Sequence, residues 1–248
     1  MKVVFNRNYR GGGTHSLTPA RLAFTLAEVL ITLGIIGVVA AITMPVLTSK
    51  IRNHELEVRF KRANTIVSQA IKLMENDIDG ASINEVYCNS NADMKNFIED
   101  LSKYFPGSYV DKESNHASDL GYKNSYWLTP NGKAGSPSYD DFGGMRTNEL
   151  IIYSSGCANF AQRKMGFVVD SNGLAKPNRM GYDAFVYIIN DNNSLNTVHG
   201  YFNYPEDNAK KNCDFSAEST SLGSSCINFA LKDVFPNDDT KSYWKSLP

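Results

Sequence analysis

The sequence predicts an α+β fold in which one long N-terminal helix packs on a small antiparallel β-sheet. Three observations predict it. Residues 24–47, FTLAEVLITLGIIGVVAAITMPVL, are almost wholly apolar. Beyond them Leu56, Phe60, Ala63, Val67, Ala70 and Met74 recur at 4-3-4-3-4 spacing, the stripe of a helix with one buried face. The second half of the chain carries short β-branched and aromatic runs separated by Gly, Asn and Asp.

Residues 1–23 read as a basic leader outside the fold. Lys2, Arg7, Arg10 and Arg21 give it +4 with no acid, so the overall net charge of −1 leaves −5 on the remainder. Positive charge before a first hydrophobic helix holds that end in the cytoplasm, and the chain beyond the helix is expected to be exported. A secretory signal has an apolar core of about 7–15 residues followed by its cleavage site. The run here is longer, so it reads as a retained anchor. As a helix it would measure about 36 Å, enough for a hydrocarbon core of about 30 Å.

Glu28 is the single ionisable side chain in that run. A carboxylate there is expensive in lipid and reads as functional. Gly34, Gly37, Ala40 and Ala41 supply small surfaces that let helices approach one another. Pro45 removes one backbone donor and is expected to bend the helix rather than end it, because helical spacing resumes after it. The amphipathic continuation, residues 48–80, sets Arg59, Lys61, Arg62, Gln69 and Lys72 opposite the stripe and ends at Asp77, Asp79 and Gly80.

Residues 81–248 read as one globular domain. Within it, 81–145 is rich in Asn, Ser, Gly, Asp and Tyr, with one helix expected over 92–105 and a loop over 131–144. Tyr122, Tyr126 and Trp127 either pin that region to the core or form a platform for a sugar or partner. The sheet is expected over 146–204, with strands at 149–154, 166–170 and 184–190 and a candidate fourth at 197–204. Residues 205–248 read as a disulfide loop and a polar tail.

Cys88, Cys157, Cys213 and Cys226 all lie in the exported part, where an even count suggests disulfides. Three pairings are open. The closeness of Cys213 and Cys226 favours 213–226 with 88–157. Between two strands, Asp170-Ser171-Asn172-Gly173 suits a tight turn requiring positive φ. Asp170, Asn172 and Asp183 could also offer hard oxygens to Ca²⁺, although the twelve-residue EF-hand pattern is absent. The plain turn is the favoured reading, and no other cofactor is expected.

Residues 24–28, F-T-L-A-E, followed by an apolar run with a proline near its end, resemble the N-terminal segment of type IV pilins and type II secretion pseudopilins. The resemblance is specific over about residues 22–47. It implies a pilin-like fold and cleavage between Ala23 and Phe24 by a prepilin peptidase, which then N-methylates Phe24; the family usually has Gly where Ala23 stands. Counted from Phe24, Glu28 is fifth and Pro45 twenty-second, as in the family, so both are expected to act in assembly. The implied partners are the peptidase, sister subunits, membrane lipid, and a membrane platform with a cytoplasmic ATPase. The implied location is the cytoplasmic membrane as a single pass with the C-terminal domain outside, then a pilus, pseudopilus or the cell surface. In these families the region before the sheet is the variable part.

No nucleophile–base pair, phosphate-cradling loop or metal-ligand spacing stands out, so an enzyme is not expected. Gly11–Gly13 follow no strand and are not a nucleotide loop. The −5 of the mature chain argues against nucleic acid as a partner. The leading expectation is therefore a structural subunit, minor or specialised at 225 residues after cleavage. The alternatives are a ligand-binding minor pilin, for adhesion or DNA uptake, and a monomeric membrane-tethered domain.

Overall fold

The computed structural model describes residues 25–113, 117–122, 127–135, 143–158, 164–196, 206–219 and 222–248. The chain divides into two compact units, 1–47 and 48–248. One helix, α1 (Leu26–Asp77, 52 residues, with Pro45 inside), contributes to both.

In the first unit α1 buries nothing. Every large apolar side chain from Leu26 to Leu47 is exposed, Leu26 at 77% and Ile42 at 69%. An 18-residue window of this helix has a mean hydropathy of 2.5, and by length and composition it can cross a membrane. Apolar surface of this extent, left uncovered by the described residues, asks for lipid or protein around it.

In the second unit α1 buries the stripe that its spacing specifies. Leu56, Phe60, Ala63, Val67, Ala70 and Met74 are all buried, joined by Asn53 and Ile71. The Phe60 ring centroid lies 4.4 Å from that of Phe185 and 5.2 Å from that of Trp244. Asp79 and Gly80, at φ 55° and 75°, terminate the helix in the left-handed region.

Two helices come next: α2 (Ile83–Tyr87) and α3 (Asn91–Ser102). Ser90 caps α3, its side chain accepting from the Asp93 N–H at 3.1 Å. The helix expected over 92–105 is therefore present, but starts one residue earlier and ends three earlier. Its buried residues Met94, Phe97, Ile98 and Leu101 face the same core as the stripe of α1.

The sheet is a six-stranded antiparallel meander in the order β1 to β6. Its strands are β1 (Tyr109–Asp111), β2 (Gly144–Arg146), β3 (Ile151–Ala158), β4 (Lys164–Asp170), β5 (Ala184–Ile189) and β6 (Leu195–Asn196). Strands β3, β4 and β5 fall where strands are expected from the sequence, but β3 starts two residues later and ends four later, β4 starts two earlier, and β5 ends one earlier. The sheet is wider than expected because β1 and β2 come from the region read as loop. Three-residue strands carry too short an alternation to be legible. Gly144, expected to close a loop, opens β2 instead. A Cβ there would meet the Leu120 side chain at 2.6 Å and the Tyr153 ring at 2.8 Å, so the close approach requires glycine. The candidate strand over 197–204 lies outside the described residues, directly after β6.

Both faces of the sheet are covered. On one, Met165, Phe167, Val169, Phe185, Tyr187 and Ile189 pack beneath the helices. On the other, Tyr153, Val168 and Val186 pack under Leu120, Tyr122, Trp127 and Met180. Burial on two faces explains why β5 reads as a continuous apolar run, with all six residues buried.

After β6 come α4 (Glu206–Lys211) and α5 (Cys226–Lys232), neither expected from the sequence. The tail read as polar is partly core. Tyr243, Trp244 and Leu247 are buried, and the Trp244 indole N–H donates to the Ala230 carbonyl at 3.1 Å. Scattered aromatics with no repeat give no periodic signal, yet two rings can anchor a whole segment. The disulfides are Cys88–Cys157 and Cys213–Cys226, with Cα–Cα distances of 5.6 and 4.8 Å. The first ties the end of α2 to β3, and the second ties the end of α4 to the start of α5.

Candidate functional site

The sequence singles out two places, one in each unit. At the start of α1, Thr25 occupies the N-cap position and Glu28 the third helical position. The Thr25 N–H and hydroxyl both donate to Glu28 Oε2 at 2.8 Å, and the Glu28 N–H donates back to Thr25 Oγ1 at 3.2 Å. This is a reciprocal capping box. Its signal, Thr25-Leu-Ala-Glu28, stands in the sequence, although hydropathy points to Glu28 alone. Ala23 and Phe24 lie outside the described residues. Pro45 lies within α1 and does not end it. Gly34 and Gly37 have open space where a side chain would stand, so both positions are free for close approach.

The second place is the connection from β4 to β5. Asp170 ends β4 and Asp183 precedes β5, and both are fully buried. Asp170 Oδ2 accepts from the Tyr122 hydroxyl at 2.6 Å, and its Oδ1 from the Asn172 N–H at 3.1 Å. The Asp183 carboxylate accepts from the N–H groups of Asn178 and Arg179 at 2.7 and 2.6 Å. Ser171 joins the two ends, its N–H and hydroxyl donating to the Asp183 carbonyl at 2.8 and 3.0 Å.

The chain between them is built for tight turning. Gly173, Asn178 and Gly181 have φ of 64°, 51° and 77°. Gly181 is needed twice over, because a Cβ there would sit 2.8 Å from Cys226 Sγ. With its nitrogen turned inward, the Asn178 amide donates to the Ala175 and Gly173 carbonyls at 2.7 and 3.2 Å. Arg179 stacks over Tyr182 at 4.3 Å and donates to the carbonyls of Thr129 (3.2 Å) and Pro130, tying this connection to residues 127–135.

Burial pushes both carboxyl groups up from the ordinary carboxylate range. For Asp170 the nearby charge of Asp183 adds to burial, and the donors from Tyr122 and Asn172 oppose them. For Asp183 the donors from Arg179 and Asn178 oppose burial. Burial likewise raises the Tyr122 hydroxyl, beside Asp170. Two carboxylates this close and this dry favour sharing one charge over carrying two.

The three calcium candidates therefore fall in one connection. Asp170, Asn172 and Asp183 lie together there, with Tyr122, read from the sequence only as part of an aromatic cluster, and the Asn178 N–H as their hydrogen-bond partners. The donors around both carboxylates are N–H and O–H groups, which is the chemistry of a hydrogen-bonded turn. Among the described residues, no group of three or more His, Cys, Asp or Glu side chains could hold a metal ion. Of the aromatic cluster, Tyr122 and Trp127 are buried against Tyr153, with ring centroids 6.3 and 4.9 Å away, and so pin their segment to the sheet. Tyr126 lies outside the described residues.

No known family pattern, no characterised protein and no solved structure matches the chain.

Proposed function

We propose that the chain is a prepilin-type structural subunit, processed before Phe24 and assembled through its N-terminal helix into a type IV pilus or a type II secretion pseudopilus. The observation that carries this reading is Glu28, the single ionisable side chain in an apolar helix segment that the described residues leave exposed. A bundle of such helices covers that surface. Within it, the carboxylate of one subunit pairs with the new α-amino group at Phe24 of its neighbour, and two charges leave lipid together. Breaking one partner of a buried pair costs about 3–5 kcal/mol, so Glu28 selects the height at which a neighbour enters. Pro45 supports the same reading by its place in the family pattern.

On this reading the partners are a prepilin peptidase that also methylates Phe24, sister subunits, and a membrane platform with its cytoplasmic ATPase. The basic leader places residues 1–23 in the cytoplasm and the 48–248 unit outside. Disulfides suit an oxidising compartment. The second reading, a monomeric membrane-tethered domain, is favoured by the same exposed helix if lipid alone covers it.

Intact mass and N-terminal sequencing of protein from membrane and sheared surface fractions separates the two. Loss of residues 1–23 with a methylated Phe24, and recovery in the sheared fraction, is the expected result. An intact Met1 confined to membranes would move the tethered domain to first place.

A further inference from the structure

We infer that a recess between α1 and residues 244–248 holds the phosphate headgroup of an anionic phospholipid in the membrane that residues 26–47 enter. The headgroup site rests on the membrane placement common to the subunit and tethered-domain readings, and not on assembly. The recess has a volume of about 370 Å³, within the range of small-ligand sites, and is lined by Lys50, Asn53, His54, Glu57, Trp244 and Lys245. All six belong to the 48–248 unit.

The lining is unbalanced in charge. Among the described residues, neither the Lys50 nor the Lys245 ammonium has a carboxylate partner. Lys61 and Lys72 of the same helix, by contrast, hold Glu57 and Glu75 at 2.6 and 2.9 Å. Glu57 is the one acid of the lining, and that pair with Lys61 already engages its Oε1; His54 Nδ1 stands 3.7 Å from its Oε2. Two unmatched ammonium groups against one engaged carboxylate favour an anion, and lysine meets phosphate as a point charge.

The walls are fixed before any ligand arrives. Asn53 is buried; its Oδ1 accepts from Arg52 Nε and Nη2 at 3.1 and 3.0 Å, and its Nδ2 donates to the Leu247 carbonyl at 3.1 Å. Arg52 Nη2 also donates to the Pro248 carbonyl at 2.9 Å. Trp244 is buried, with its indole N–H given to Ala230. These ties hold residues 244–248 against the helix and set Lys245 and Lys50 on one opening. Place in the sequence then selects lipid as the source of the phosphate. Lys50 follows Leu47, the last residue of the apolar run, by three positions. A helix leaving a bilayer passes the headgroup layer there, and anionic headgroups attract each lysine near them.

The test uses the full chain. Flotation with phosphatidylcholine vesicles establishes membrane entry. The chain in non-ionic detergent is then titrated with phosphatidylglycerol or phosphatidylcholine, and bound lipid is counted by native mass spectrometry. Phosphatidylglycerol is expected to be retained about tenfold more tightly than phosphatidylcholine, and Lys50→Gln and Lys245→Gln each to weaken it about fivefold, the effect of one lysine near an anionic headgroup. Lys50→Arg should retain the binding, and Lys232→Gln, outside the recess, should leave it unchanged. Equal retention of the two lipids overturns the site. So does a loss in Lys232→Gln as large as that in Lys245→Gln, which would mean unspecific attraction by surface charge. Displacement of phosphatidylglycerol by millimolar inorganic phosphate would make the recess a free-anion site and overturn the lipid assignment. A chain that floats with vesicles yet shows no headgroup preference overturns this site alone, whereas a chain that does not float overturns the membrane reading beneath it.

Discussion

Residues 26–47 and 53–74 lie in the same helix and obey opposite rules. The first segment is apolar all round and buries nothing; the second is apolar along one stripe and buries all of it. Polar pairs mark the difference. Glu55–Arg59 and Glu57–Lys61 form i,i+4 salt bridges at 2.7 and 2.6 Å on the wet face of the second segment, while the first opens on the Thr25–Glu28 box. A helix whose apolar surface is matched by its own domain is finished. One whose apolar surface has no match among the described residues needs an environment. The same secondary structure thus serves two purposes, and the distribution of charge around the axis decides which.

The largest expected effect breaks the first segment. Glu28→Ala should leave export and cleavage intact and lower incorporation into fibres more than about a hundredfold, as loss of a buried charge pair of about 3–5 kcal/mol implies. Fibre yield after shearing measures it, and normal incorporation would remove the pairing argument. Phe60→Ala breaks the second segment. Removing a ring packed on Phe185 and Trp244 should cost about 3–5 kcal/mol of unfolding stability in the 48–248 unit. Ile36→Ala, equally apolar but exposed, should leave that stability unchanged. Denaturant melts of the two variants give the contrast directly.

Next in size is Cys213→Ser with Cys226→Ser. Opening that short loop should cost about 3 kcal/mol in the chain-entropy model, read in the same melts. A loss no greater than that of Arg59→Ala would mean that packing of Tyr243 and Trp244 alone holds the C-terminal segment.

The buried acids predict a pH dependence. Their carboxyl groups are raised in the folded state, so the fold binds more protons than the unfolded chain above about pH 4, the ordinary aspartate value. Stability from this pair is therefore greatest below that value and declines as pH rises through the raised range. Asp170→Asn should flatten the decline, measured as the midpoint of urea unfolding against pH; an unchanged slope would locate the dependence elsewhere. The smallest effect is expected from Arg59→Ala. Its exposed pair with Glu55 should contribute less than about 0.5 kcal/mol, and a melt with high salt should erase even that.

Much of the fold is legible because its signals are local. The stripe of α1, its end at Asp79 and Gly80, and the three central strands all come from spacing and punctuation within a dozen residues. The disulfide pairing agrees with the nearness of Cys213 to Cys226. The hidden features depend on partners distant in sequence. Tyr122 reaches Asp170 across 48 positions, and Tyr243 donates to the Gly181 carbonyl at 2.5 Å across 62. The strand β2 is held by its pairing with β3, and β1 in turn by its pairing with β2, not by any preference of their own. Thr25 is the opposite case. Its box with Glu28 is local and readable, but a charge in an apolar run overshadows the residue that holds it.

Local pattern alone sets the division of labour along α1, since the hydropathy of each turn fixes which surface must be removed from water. It also sets the position of Glu28, the basic charge of residues 1–23 and the turn at Asn172-Gly173 for the same reason: each is a property of neighbouring residues. That Asp170 and Asp183 share one dry connection, that the sheet has six strands covered on both faces, and that the C-terminal aromatics belong to the core emerge only on folding. Those outcomes depend on contacts between segments far apart in the chain, and packing, not pattern, selects among them.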